Sequence, residues 1–291
     1  MTWLLWLGLV LCLLVVAVIG LSAYGSKRWA DATRALIGRL EAARADDTVQ
    51  HLPAARFDPC ELEGLPAPVQ RYFRAVLKEG QPIVAAASIE LVGTFNMSAA
   101  GERWKPFTSR QRVITRRPGF LWDADISMLT GLPVRVVDSY IAGEGLLRAA
   151  ALGLFTVAEL HGGGEIARGE LMRLFAEMPW YPTALLPSQG VRWEPLDDAS
   201  ANATIVDGPL ALTLRFSFNN AGLIDSVRAE ARGAMVDKKM VMAPWEGRWS
   251  NYQARNGMIV PMTGEAAWLR SEGRKPYFRG TVTSLAYEFS P

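Results

Sequence analysis

The sequence predicts an α+β protein: an N-terminal transmembrane helix, then a curved, largely antiparallel, half-barrel-like sheet of about ten strands with two or three covering helices. Three observations carry this prediction. An uncharged apolar run extends from Trp3 to Ala23, two-residue alternation dominates after residue 83, and helical spacing interrupts it only in short stretches. The implied organisation is an anchor over 1–26, a juxtamembrane helix and connector over 27–63, and one β-rich domain over 64–291.

At about 1.5 Å per residue the run from Trp3 to Ala23 is about 31 Å long, the thickness of a bilayer's hydrocarbon core. Trp3 and Trp6 at one end, and Tyr24 and Trp29 at the other, put amphipathic rings at headgroup level. No Lys or Arg precedes the run, as a secretory signal would require, so the segment is expected to stay attached. Cys12 reads as one more apolar residue, because Leu11 stands where a lipoprotein signal needs a small one. Lys27, Arg28, Arg34 and Arg39 follow the helix and no base precedes it, so the positive-inside rule points to a single-pass protein with a cytoplasmic domain.

Residues 27–45 read as a helix leaving the membrane, and 46–64 as an irregular connector containing Pro53 and Pro59. A second helix is expected from Leu65-Pro66-Ala67-Pro68, where prolines suit a first turn and Val69, Phe73, Val76 and Leu77 share a face. Strands are expected over 88–97, 107–115, 120–127 and 134–141, with turns at Ala100-Gly101, Pro118-Gly119 and Gly131. Residues 146–160 are ambiguous, and a helix follows over 167–178, ended by Pro179. Leu210, Leu212, Leu214, Phe216 and Phe218 alternate with Ala211, Thr213, Arg215 and Ser217, and Asn219 to Gly222 turns the chain into a strand over 223–232. Further strands are expected near 191–196, 201–206, 245–254, 258–268 and 277–289.

Composition excludes several classes of function. A net charge of +2 gives no broad basic surface for nucleic acid. Only His51, His161 and, outside the membrane helix, Cys60 are available as soft ligands, so no metal site is expected. No phosphate-cradling glycine loop occurs, so no cofactor is expected. His161-Gly162-Gly163-Gly164 resembles an esterase oxyanion loop, but no Gly-x-Ser-x-Gly nucleophile accompanies it, so the glycines read as a flexible loop. No recognisable catalytic motif remains. Asp123 and Asp125 share a strand face, as ordinary solvated charges do, and Arg110, Arg112 and Arg116 share another, which reads first as an ordinary solvated face and otherwise as one that meets anionic lipid headgroups or acidic groups.

The candidate binding residues are Glu177, Trp180, Tyr181, Trp122, Arg110 and Trp268. Glu177 precedes the proline-rich stretch Met178 to Pro187, which is expected to be a fixed loop rather than a helix or inner strand, with Trp180 and Tyr181 as anchors. Glu177 is also one helical turn from Arg173 and able to pair with it. Seven tryptophans lie beyond residue 100, either lining an apolar cavity or filling a core.

The motifs Leu65-Pro66-Ala67-Pro68-Val69-Gln70-Arg71-Tyr72-Phe73-Arg74 and Trp180-Tyr181-Pro182-Thr183-Ala184-Leu185-Leu186-Pro187 resemble signatures of an uncharacterised bacterial membrane-anchored family, a domain of unknown function. Gly119 to Ala124 and Glu265 to Trp268 add to the resemblance, which covers roughly 60–290 and implies no activity. Strand number and helix placement are similar, in shape alone, to the half-barrels of bacterial lipoprotein carriers. The resulting expectation is a membrane-tethered domain binding an apolar or lipid-like molecule. The alternative is a protein-interaction or scaffolding module of the cell envelope with a fully packed sheet, and a hydrolase comes third.

Overall fold

In the computed structural model, which describes residues 2–45, 55–98, 101–129, 132–236 and 239–290, the alternating segments form one sheet of 13 strands. His51, Pro53, Ala100 and Gly131 lie outside the described residues. The strands are β1 (Val84–Asn96), β2 (Trp104–Ile114), β3 (Gly119–Leu129), β4 (Leu132–Ile141), β5 (Glu144–Ala151), β6 (Phe155–Gly162), β7 (Arg192–Asp197), β8 (Ser200–Asp207), β9 (Leu210–Phe218), β10 (Ile224–Val236), β11 (Lys239–Arg255), β12 (Met258–Arg270) and β13 (Gly273–Phe289). Their order is β6-β5-β4-β3-β2-β1-β13-β12-β11-β10-β9-β8-β7, antiparallel throughout. Two meanders meet where β1 pairs with β13, and the sheet stays open at β6 and β7.

The ambiguous stretch 146–160 is the β5–β6 hairpin, which accounts for the strands beyond the expected number. Because all neighbours are antiparallel, connections alternate between two rims. The lower rim carries β1–β2, β3–β4, β5–β6, β8–β9, β10–β11 and β12–β13, and the remaining hairpins lie at the upper rim.

Helices pack against both faces of the sheet. On the concave face, α2 (Ala67–Val76), α3 (Gly164–Ala176) and the 3₁₀ turns Met178–Trp180, Pro182–Leu185 and Pro187–Gln189 close over the large core. The proline-rich segment is thus a series of tight turns, as its missing N–H donors require. The His161–Gly164 glycines form the turn from β6 into α3, with Gly162 and Gly164 at positive φ.

Part of the outer face, over β1 to β5, is covered by α1 (Thr2–Ala45), a single unbroken helix. Its first two-thirds of apolar residues project from the domain, and Trp29, Leu36, Leu40 and Ala43 then lie on Ala86, Ile114, Leu121 and Val137. Trp29 Nε1 donates to Asp123 Oδ1 at 2.8 Å, and Arg148 sits over the Trp29 ring. Near the end of α1, Arg44 and Arg112 both pair with Glu288 at 2.6 Å, and Arg112 also pairs with Glu41 at 2.7 Å. Asp123 therefore serves helix docking, and burial there raises its pKa above the usual carboxylate value. The direction of α1 is fixed at Gly25, where a Cβ would lie 2.1 Å from the Leu152 carbonyl oxygen in the β5–β6 turn. The helix leaves the fold at the lower rim.

Candidate functional site

α3 spans the concavity between the two meanders, contacting β3, β4, β5 and β6 on one side and β9 and β10 on the other. Its apolar residues Leu171, Leu174 and Phe175 face the core, as their spacing predicts, but Glu170 is buried with them and the Arg173 side chain is only 15% exposed. Arg173 is held between carboxylates: its Nε lies 2.8 Å from Glu177 Oε1, and an Nη pairs with Asp138 of β4. Gln111 of β2 donates to Glu177 Oε2 at 2.6 Å. The guanidinium stacks over Phe120 and Trp122, 5.0 and 4.8 Å from the ring centres. Arg173 thus bonds in its own plane and stacks on its faces, a combination lysine cannot reproduce.

From Trp122 a run of aromatic rings descends the concave face. Successive centroids are 5.9 Å (Trp122–Phe107), 5.2 Å (Phe107–Phe278), 6.4 Å (Phe278–Phe95), 5.6 Å (Phe95–Tyr277) and 6.0 Å (Tyr277–Trp268) apart. Trp122 and Phe107 are buried, whereas Phe95, Tyr277, Phe278 and Trp268, towards the lower rim, are half-buried, with Met128 and Val136 nearby in burial and face. Arg232 of β10 lies over Trp245 and Trp268 and reaches the Tyr277 hydroxyl, which also accepts from Trp245 Nε1 at 2.9 Å. The helices and 3₁₀ turns seal the upper half of the concave face and leave this lower half uncovered.

The sequence-derived candidates fall in three places. Trp122 and Trp268 are the two ends of the ring run. Glu177 belongs to the Arg173 cluster, so it is paired and also turned inward. Trp180 and Tyr181 are fully buried beneath the 3₁₀ turns: Trp180 packs edge-on against Trp249 at 4.9 Å, and Tyr181 OH donates to the Leu174 carbonyl. Arg110 is not brought to this face. It is exposed on the outer side of β2, 3.4 Å from Glu90. Glu170, Arg173, Asp138 and Arg232 are not among those candidates; of the four, Glu170 carries a signal, since it stands three residues after Ala167 and four before Leu174 on the apolar stripe of α3. Among the described residues no group of three or more His, Cys, Asp or Glu side chains is arranged to hold a metal ion.

Burial and the neighbouring Asp138 push the Glu170 carboxyl well above its ordinary pKa, with Arg232 and Arg173 opposing. Glu170 Oε2 and Asp138 Oδ1 both lack donors, and a proton kept on Glu170 would supply one to the pair. A carboxyl raised in the folded state contributes stability that is present below its unfolded value, near 4.5, and is lost as pH rises through the folded value. Glu170→Gln keeps a donor without the charge. It is therefore expected to remove the loss of thermal stability on going from about pH 5 to pH 8, and parallel Tm-against-pH curves for variant and parent would dismiss a proton kept on Glu170.

The chain belongs to a family of unknown function, DUF6920, whose model matches residues 63–287. Among curated proteins, none matches it. Solved structures offer distant likenesses. A LolA superfamily protein from Nitrosomonas europaea is 9% identical, with 78% of this chain and 96% of that one covered at a TM-score of 0.40. A beta-barrel-like protein of the DUF1849 family from Brucella abortus is 9% identical, covering 71% and 99% at 0.20. A porin-like protein from Bacteroides uniformis is 8% identical, covering 72% and 98% at 0.25.

Proposed function

We propose that this DUF6920 protein is a membrane-tethered binding domain whose ligand is apolar or lipid-like and lies along the ring run from Trp268 towards Trp122. The carrying observation is that run: a continuous aromatic surface, closed above by the Arg173 cluster and half-exposed at the rim from which α1 departs. An elongated apolar strip with a few convergent polar groups, here Arg232 and the Tyr277 hydroxyl, is the pattern of a small-molecule site. The upper concave face is filled by Trp180, Tyr181, Phe175 and Trp193, so a ligand is accommodated along the lower half and not by an enclosed cavity above. Two surface concavities, of about 330 and about 340 Å³, lie elsewhere: beside α1 at Leu36 and Ile141, and across Arg248 and Glu265.

The tether is α1. Its apolar segment is long enough to cross a bilayer, and the same unbroken helix continues across the outer side of β1 to β5. Removing the apolar segment as a signal would therefore cut into an element that the domain packs against, which favours a retained anchor over a signal sequence.

Native mass spectrometry of the full-length protein, released from detergent, tests the binding. We expect co-purified lipid-like mass that is lost in Trp268→Ala, a half-buried site whose truncation leaves the upper core intact. Protein that is empty under all extraction conditions would instead favour a packed interaction module.

A further inference from the structure

We infer that the lower rim is a bilayer-docking surface, in which the β5–β6 turn and the Met240–Met242 stretch of β11 meet lipid headgroups and turn the uncovered ring run towards the membrane. This rests on α1 being an anchor. The contact that supports it is local: the Gly25 carbonyl oxygen lies 2.9 Å from where a Cβ on Gly153 would stand, and Ser26 Oγ accepts from Arg135 at 3.2 Å. The β5–β6 turn is thus fixed against the first residues after the apolar segment, at headgroup depth, with no linker to lift it away. Immediately beyond that turn, Phe155 and Val157 are 59% and 61% exposed.

The first residues of β11 have the same character. Residues from Lys239 to Ala243 pair only with β10, because the β11–β12 ladder begins at Trp245↔Trp268, so this hairpin projects past the β12–β13 edge. Met240, Val241 and Met242 are consecutive and 40%, 42% and 45% exposed, so apolar side chains leave both faces of the projecting strand. In water such patches are unfavourable, and in a soluble domain they mark a contact surface. Exposed Arg103, Lys239 and Lys275 stand on the same rim, outnumbering exposed Glu102 and Glu272, which suits phosphate-bearing headgroups. A protein partner would also cover apolar stretches, but only the bilayer is held at this rim by the chain's own helix.

The test uses the full chain in phosphatidylcholine–phosphatidylglycerol vesicles, with Cys12→Ala and Cys60→Ser clearing the native thiols, both of which are exposed. Single cysteines are placed at Phe155, Met240, Asn220 and Val16 and labelled with an environment-sensitive nitrobenzoxadiazole dye. Phe155 and Met240 are exposed, so labelling leaves the fold in place, and Asn220 at the upper rim is the aqueous reference. The expected result is a blue-shifted emission at 155 and 240 that loses most of its quenching by aqueous iodide and gains quenching by doxyl-labelled lipid, while 220 stays fully quenchable by iodide. Labels at 155 and 240 as accessible as 220, with Val16 protected by lipid, would overturn docking and leave the anchor standing. Iodide access at Val16 would overturn the anchor, and docking with it.

Discussion

Replacing Arg173 by leucine is expected to destabilise the fold by about 3–5 kcal/mol, because it leaves buried carboxylates without their cation. Glu177 and Asp138 both pair with this guanidinium, and the Glu177 and Asp138 side chains are only 14% and 9% exposed. Water is not at hand to replace the lost charge. Arg173→Lys is expected to rescue only part of the loss, since an ammonium cannot bond to Glu177 and Asp138 together while stacking on Phe120 and Trp122. Glu177→Gln should be milder, as Arg173 retains Asp138. Urea unfolding at neutral pH checks the order. A deficit below about 1 kcal/mol for the leucine variant would show that the cluster is solvated and that α3 is held by its apolar face alone.

That cluster also marks where the sequence stops being readable. Alternation along β2 places Arg110 and Gln111 on opposite faces, and strand periodicity delivers this much reliably. It does not say which face is inside, and the structure buries Gln111 and exposes Arg110. The inward side is decided by what α3 brings across from residues sixty positions away. Where contrast between neighbours is high, as in the β9–β10 hairpin, strand and register follow directly from Leu212, Leu214 and Phe216. Where it is low, as in the alanine-rich Leu146 to Ala151, no period emerges and the β5–β6 hairpin is unreadable. The packing of α1 was legible in principle. Trp29, Thr33, Leu36, Leu40 and Ala43 recur at intervals of four and three, the stripe of a helix with one buried side. Of the bases interspersed along this stretch, Arg39 and Arg44 are engaged with Glu144 and Glu288 of the sheet and not with a membrane surface.

Trp180→Ala is expected to cost about 3–5 kcal/mol. Trp180 is 2% exposed, and its ring packs edge-on with Trp249. Its backbone carbonyl accepts from Tyr287 OH at 2.6 Å, so the Met178–Trp180 turn is tied to the last strand from outside the side chain as well. Three prolines in the segment leave the surrounding turns unable to re-form as helix or strand, so the space vacated by the indole cannot close by backbone movement. If Trp180 is a packing residue, the loss appears as a lowered Tm, and lipid retention per folded molecule is unchanged because the ring run from Trp122 to Trp268 does not pass through it. If instead it is part of the ligand site, lipid is lost while Tm moves by no more than for Trp268→Ala. Measuring Tm and bound lipid on the same preparations of both variants separates these outcomes. A Trp180→Ala protein that is stable but empty would move the binding surface from the lower concave face to beneath the proline-rich turns.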